Sequence, residues 1–172
     1  VLSVFHFLKL NLNNISKFAP SLPKLSGRGK LYNLELNDKK VNLIDESYNA
    51  NPMSMQVAID YFAKLKKNSS SRKFLILGDM LELGKKEKHF HKKISKYLNL
   101  GDFFQVILCG NLIKQLYNSY KSHNKLFYLN NEKKLYNHIL DNIGNNDIVL
   151  AKGSNATPVN KFVKRVKMHR VK

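Results

Sequence analysis

A chain of 172 residues and 19.9 kDa, 43% hydrophobic and 10% aromatic, can bury one globular core with at most a small appendage, which excludes a disordered chain and a multidomain array. Its single cysteine, Cys109, excludes a disulfide framework and a multi-cysteine metal site, and no stretch approaches the roughly 18–20 uninterrupted apolar residues of a membrane span, so a soluble intracellular protein is expected. Thirty Lys and Arg against twelve Asp and Glu give a formal net charge of +18, the one compositional feature that points toward a polyanionic partner.

The chain opens without Met in an apolar run, Val1 to Leu10, broken by His6 and Lys9 and lacking a secretory cleavage site. Residues 1–27 predict a helix, an Asn-rich turn and a short helix from about Asn14 to Ala19, stopped by Pro20 and Pro23. The opening is expected to be the end of something larger. Leu31 to Leu36 alternates apolar and polar, Asn37-Asp38 supplies a turn, and Val41 to Asp45 follows as a second strand. Pro52 suits a first helical turn, with Met55, Ala58, Phe62 and Leu65 at helical spacing behind it.

Beyond the polar break at Asn68 to Ser71 one theme repeats. Four short apolar strands, Phe74 to Leu77, Phe103 to Cys109, Lys125 to Leu129 and Ile148 to Ala151, alternate with helices reaching about Leu98, Tyr120, Ile143 and the C-terminus. Such alternation predicts an α/β fold: a Rossmann-like, mostly parallel sheet flanked by helices from about residue 28 onward, with a short helical N-terminal stub. Ligands of open α/β sheets bind beyond the carboxyl ends of the strands. Four loops therefore qualify: Asp45 to Pro52, Gly78 to Gly84, Gly110 to Leu112 and Lys152 to Pro158.

The distribution of charge argues against reading the +18 as a nucleic-acid signature. Twenty-six of the cations are Lys and only Arg28, Arg72, Arg165 and Arg170 offer the planar fork that reads bases. With 21 Asn, Lys and Asn make up 47 residues, a bias expected of AT-rich codons. The densest runs, Lys85 to Lys96 and the tail Lys161 to Lys172, read as solvated helix faces.

In the first loop, Asp45-Glu46-Ser47-Tyr48-Asn49-Ala50-Asn51-Pro52, a strand-end Asp suits ribose hydroxyls and Tyr48 offers a flat face to a base. Ser47 and Asn51 could instead cap the next helix, and for Asn51 the cap is the preferred reading. In Gly78-Asp79-Met80-Leu81-Glu82-Leu83-Gly84, followed by His89 and His91, two carboxylates and two imidazoles suit metal binding or proton transfer. The two His, at i and i+2, fall on different helix faces, and His89 is expected to face the loop while His91 lies at the surface. Lys152-Gly153-Ser154-Asn155-Ala156-Thr157 suits an anion cradle, and Ser154 or Asn155 suits a plain helix cap. No G-x-x-x-x-G-K-[ST] phosphate loop occurs in the sequence. The residues alone thus point to a ligand-binding α/β domain for something anionic.

Gly27-Arg28, then Asp45 to Met55, Leu77 to Gly84 with His89, and Lys152-Gly153-Ser154 resemble, in order and spacing, the C-terminal domain of the Mur ligases over residues 27–172. Residues 1–26 resemble the end of that family's central ATPase domain. The resemblance implies a cytoplasmic ligase of peptidoglycan synthesis that depends on ATP and Mg2+, and within the family the branch that joins D-Ala-D-Ala to UDP-MurNAc-tripeptide. It further implies nucleotide contacts from Arg28, Asp45, Tyr48, Asn49 and Asn51, and substrate contacts from Asp79, Glu82, Lys152 and Ser154. The phosphate loop and magnesium ligands belong to the family's central domain, so no catalytic or metal-binding residue is expected here. The chain is expected to need the N-terminal and central domains as partners and to be inactive alone. Asn155-Ala156-Thr157 departs from the Arg-containing form common in relatives. The competing expectation, a basic nucleic-acid-binding α/β module, would lose affinity steeply with salt.

Overall fold

The computed structural model describes residues 6–9, 25–66, 70–120 and 123–169. Apart from residues 6–9, the helices and turn expected before residue 25 lie outside them. The first two strands, β1 (Lys30–Leu36) and β2 (Lys39–Glu46), form the expected antiparallel hairpin. Its turn residues Asn37 and Asp38 both have positive φ, 48° and 59°, the conformation that matches the right-handed strand twist and that Asn and Asp tolerate best. From β2 onward every pairing is parallel. β3 (Lys73–Gly78), β4 (Gln105–Cys109), β5 (Leu126–Leu129) and β6 (Ile148–Lys152) complete one six-stranded sheet in the order β1-β2-β6-β3-β4-β5. The Rossmann-like, mostly parallel α/β fold is borne out.

All residues of β3 and β4 are buried, as expected of central parallel strands covered on both faces. On one face α4 (Glu132–Asn142) and α5 (Pro158–Val166) pack Leu135, Ile139, Phe162 and Val163 against Leu43, Phe74 and Ile107. On the other, α1 (Pro52–Lys64) and the segment around α2 (Glu87–Lys93) and α3 (Lys114–Tyr117) bring Met55, Phe62, Ile94 and Leu116 onto Leu75, Leu77 and Leu108. Burial of a side chain of this size stabilises by about 1.5–3 kcal/mol. Near the amino ends of β3 and β6, Arg72 clamps the buried Asp147 at 2.6 Å.

Two helices are shorter than the periodicity predicts. The cationic helix is α-helical only over Glu87–Lys93 and runs into 3-10 turns at both ends; its lysines face one another at i and i+4 (Lys88 and Lys92, Lys92 and Lys96), where like charges destabilise a helix. The helix expected to reach Tyr120 ends at Tyr117, and Tyr120 instead donates its hydroxyl hydrogen to the carbonyls of Ser95 and Leu98.

Cys109 sits at the carboxyl end of β4, fully buried. Burial pushes its thiol up to about 12, with the Asp79 and Glu132 carboxylates adding to the effect, so at neutral pH it is a protonated core residue. Its reaction with a thiol-specific disulfide reagent at pH 8 is expected to be at least about 100-fold slower than that of the denatured chain. Equal rates in native and denatured protein would show that Cys109 is not protected.

Candidate functional site

The carboxyl ends of β2, β6 and β3 lie side by side, although β6 is the last strand in the chain. Its insertion between β2 and β3 brings three loops together at the edge where α/β sheets bind ligands. A cleft of about 390 Å³ opens between them, lined by Tyr48 and Asn49 after β2, Leu81 and Glu82 after β3, and Ser154, Asn155 and Ala156 after β6. The loop at Gly110 is not among the residues that line this cleft and is tied to the loop after β3 through Asp79. Because β1 runs antiparallel to β2, with Lys30 opposite Asp45, the segment Leu25–Gly29 reaches the sheet at this same edge.

In the first loop Asp45 is 1% exposed and its oxygens are occupied internally. One accepts from the Ser47 amide at 3.1 Å and the Ser47 hydroxyl at 2.6 Å; the other accepts from the Gly27 amide and from the Lys167 ammonium, both at 3.1 Å. The neighbouring Glu46, which points to the opposite face of β2, is a third exposed and lines a second groove with Asn51, Met53, Val57 and Tyr61. Glu46 is the carboxylate at this strand end with room for a ligand, and its position was readable from strand alternation. Tyr48 is half exposed and carries the Arg28 guanidinium 4.7 Å above its ring. Gly27, at φ +77°, allows the approach, since a Cβ there would lie 2.7 Å from that of Tyr48. Asn51 caps α1 in a reciprocal capping box with Ser54, a structural duty that occupies its side-chain oxygen. Asn49 accepts from the Ala50 amide through its side chain.

The second loop is held by three anchors. The Asp79 carboxylate accepts from the Asn111 amide at 3.0 Å and the Ile113 amide at 2.7 Å, the Ser154 hydroxyl accepts from the Leu81 amide, and His91 Nε2 accepts from the Met80 amide at 2.9 Å. The expectation for the two histidines is reversed. His91 is fully buried beneath the loop, whereas His89 is exposed, because Glu87, Phe90, His91 and Ile94 form the i, i+3, i+4, i+7 stripe that faces the protein. The His91 Nδ1, 2.7 Å from the Glu87 carbonyl, carries the proton in the tautomer that leaves Nε2 as acceptor. Glu82, at φ +64°, is exposed at the cleft.

In the third loop Thr157, not Ser154 or Asn155, occupies the cap position of α5. Ser154 instead bridges loops, its amide donating to the Asp79 carbonyl. Lys152 is 2% exposed. Its ammonium donates to the Asn49 carbonyl at 3.0 Å and lies 3.5 Å from Glu46. Burial lowers its pKa against the opposing pull of Glu46. Among the described residues, two acceptors serve its three donors.

An open, mostly parallel sheet flanked by helices, with polar loops gathered at its carboxyl edge, defines a domain of the Rossmann-like class. The family model described as the Mur ligase, glutamate ligase domain matches residues 29–155, and the chain belongs to this family, as the sequence resemblance implied. It is similar to the UDP-N-acetylmuramoyl-tripeptide--D-alanyl-D-alanine ligase of Rickettsia prowazekii, with 28% identity over 163 residues, 95% of this chain and 35% of the relative. The Bacillus subtilis protein of the same name is 29% identical over 149 residues, 85% and 32%. Among solved structures, the MurF ligase of Thermotoga maritima in complex with ADP superposes with TM-score 0.74 at 22% identity, covering 98% of this chain and 36% of the other. A MurF of Acinetobacter baumannii gives TM-score 0.75 at 20% identity, covering 97% and 35%. The chain spans about a third of the length of these relatives.

Proposed function

We propose that this chain is the C-terminal domain of a cytoplasmic ligase that adds D-Ala-D-Ala to UDP-MurNAc-tripeptide in peptidoglycan synthesis. The observation that carries the proposal is Lys152, a buried ammonium at the carboxyl end of β6, where the third loop of the cleft begins, with two acceptors for its three donors among the described residues. An anionic group, a phosphate or a peptide carboxylate, supplies the missing acceptor. ATP, bound with Mg2+ mainly outside this chain, would supply a phosphoryl group to the tripeptide's terminal carboxylate with release of ADP, and the dipeptide amine would then displace phosphate from the acyl phosphate. This chain orients rather than reacts. Arg28 stacked on Tyr48 offers a cation and a flat face to the nucleotide, Glu46 takes the ribose contact first expected of Asp45, and Asn49 borders the same site. Asp45 and Asn51 shape that loop from beneath. Glu82 and Ser154 face the incoming dipeptide across the cleft, and Asp79 fixes the wall they stand on. With no phosphate loop in its sequence, the chain acts only together with the N-terminal and central domains.

Residues 25–172 joined to the N-terminal and central domains of the Bacillus subtilis relative are expected to release phosphate only when both UDP-MurNAc-tripeptide and D-Ala-D-Ala are present. In that fusion Glu46→Gln is expected to raise the KM for ATP roughly tenfold while largely sparing kcat, the loss of one charge-assisted hydrogen bond. Turnover indifferent to D-Ala-D-Ala, or a dead fusion when the Bacillus domain rejoined at the same point is active, sinks the proposal.

A further inference from the structure

Helix α5 lies outside every loop discussed so far, yet it touches the first loop at two points. Asn160, in its first turn, donates from Nδ2 to the Ser47 carbonyl at 2.9 Å and lies 3.2 Å from the Ser47 hydroxyl. Lys167, in the 3-10 turn that continues the helix, donates to Asp45 at 3.1 Å and to the Ser26 hydroxyl at 2.8 Å, with its ammonium 5.0 Å from the Tyr32 ring centre. The two residues are seven apart, which places them on one helix face about two turns from each other. What they grip is a pair of segments already joined by backbone bonds: the Gly29 amide donates to the Asp45 carbonyl and the Tyr48 amide to the Gly27 carbonyl.

We infer that α5 with its terminal turn is a splint that locks the incoming segment Ser26–Gly29 and the loop Asp45–Tyr48 into one rigid unit, and that Lys167 is its positioning residue. The geometry singles out Lys167 because its one ammonium holds a side chain of each segment, Ser26 and Asp45. Asp45 Oδ2 is shared between the Lys167 ammonium and the Gly27 amide, and the same ammonium holds Ser26, the residue before Gly27. Without the cation the buried carboxylate loses its counter-charge, and the Gly27 amide loses the charge arrangement that fixes its acceptor. The stacked pair of Arg28 and Tyr48 has one member on each segment, so its registry depends on the splint. In the ligase reading, on which this functional meaning rests, any movement of the protein before Ser26 carries the nucleotide-facing loop with it instead of sliding past.

The test is amide hydrogen exchange on the 172-residue chain without ligand, followed by mass spectrometry. Lys167→Met keeps an unbranched side chain of similar length and removes the charge. It is expected to accelerate exchange in residues 25–31 and 44–50 by about tenfold or more, a local opening, while β3 and β4 stay within about twofold of wild type. Lys167→Arg is expected to restore protection, and trypsin cleavage after Arg28 should follow the same order. Unchanged exchange in both segments, or equal acceleration in β3 and β4, overturns the inference. If Lys167→Met does not fold, Lys167→Gln, which retains a neutral donor, makes the same comparison. No nucleotide or peptide enters this measurement, so its failure leaves the ligase proposal standing, and a failed ligase fusion leaves the splint standing.

Discussion

Lys152→Met is expected to abolish D-Ala-D-Ala-dependent phosphate release in the ligase fusion while leaving the domain at least as stable as wild type. The physical reason is that a buried ammonium is costly: the attraction of a partly exposed carboxylate 3.5 Å away does not offset desolvation, and the lowered pKa of Lys152 reports that imbalance. Methionine fills similar volume without charge. Its introduction strands little, since Glu46 is a third exposed and Asn49 lies at the surface. The pH dependence follows from the direction of the shift. Between the lowered folded value and the ordinary lysine value of about 10.4 the unfolded chain binds more protons, so wild-type stability rises with pH through that window and the cost is fully present below it. The advantage of Lys152→Met in thermal melts is therefore expected to shrink as pH is raised from 7 toward 10. A loss of more than about 1 kcal/mol, roughly 2–4 °C for a chain of this size, would instead make Lys152 a structural residue, and retained turnover would remove it from the site.

The sheet was legible because β3, β4 and β6 are short, uninterrupted apolar runs whose burial on both faces leaves one arrangement for them, parallel and central. The site loops followed, since chain order and strand type place them all at one edge. Individual side chains were less legible. Asp45 looked like the ribose ligand because it ends an apolar run, but the pleat turns it toward α5 and turns Glu46 outward. His89 was favoured over His91 by its nearness to the loop in sequence, whereas the stripe of Phe90 and Ile94 decides which of the two is inside. The partners of Asp45, Gly27 and Lys167, lie 18 and 122 residues away, a separation at which local patterns carry no information. The splint is therefore a property of the folded molecule alone.

Asp79→Ala is expected to destabilise the domain by about 3 kcal/mol, because it strands the buried amide of Ile113 and takes the partner from the part-buried amide of Asn111, and a buried unsatisfied donor costs about 1–3 kcal/mol. In melting temperature that is a fall on the order of 10 °C. Asp79 was first expected to touch substrate, and the stability measurement separates the two roles: an unchanged melting temperature with lost D-Ala-D-Ala dependence would return it to the substrate. The same carboxylate explains Gly110. At φ +144° a Cβ there would overlap the Asp79 carboxylate, so Gly110→Ala must push Asp79 off its two amides or bend the loop that carries them. Both single substitutions then break one interaction. Their combined cost is expected to fall short of the sum by about 1 kcal/mol or more, the mark of residues acting on a shared contact. Additive costs would show instead that Gly110 is required for its backbone conformation, independently of Asp79.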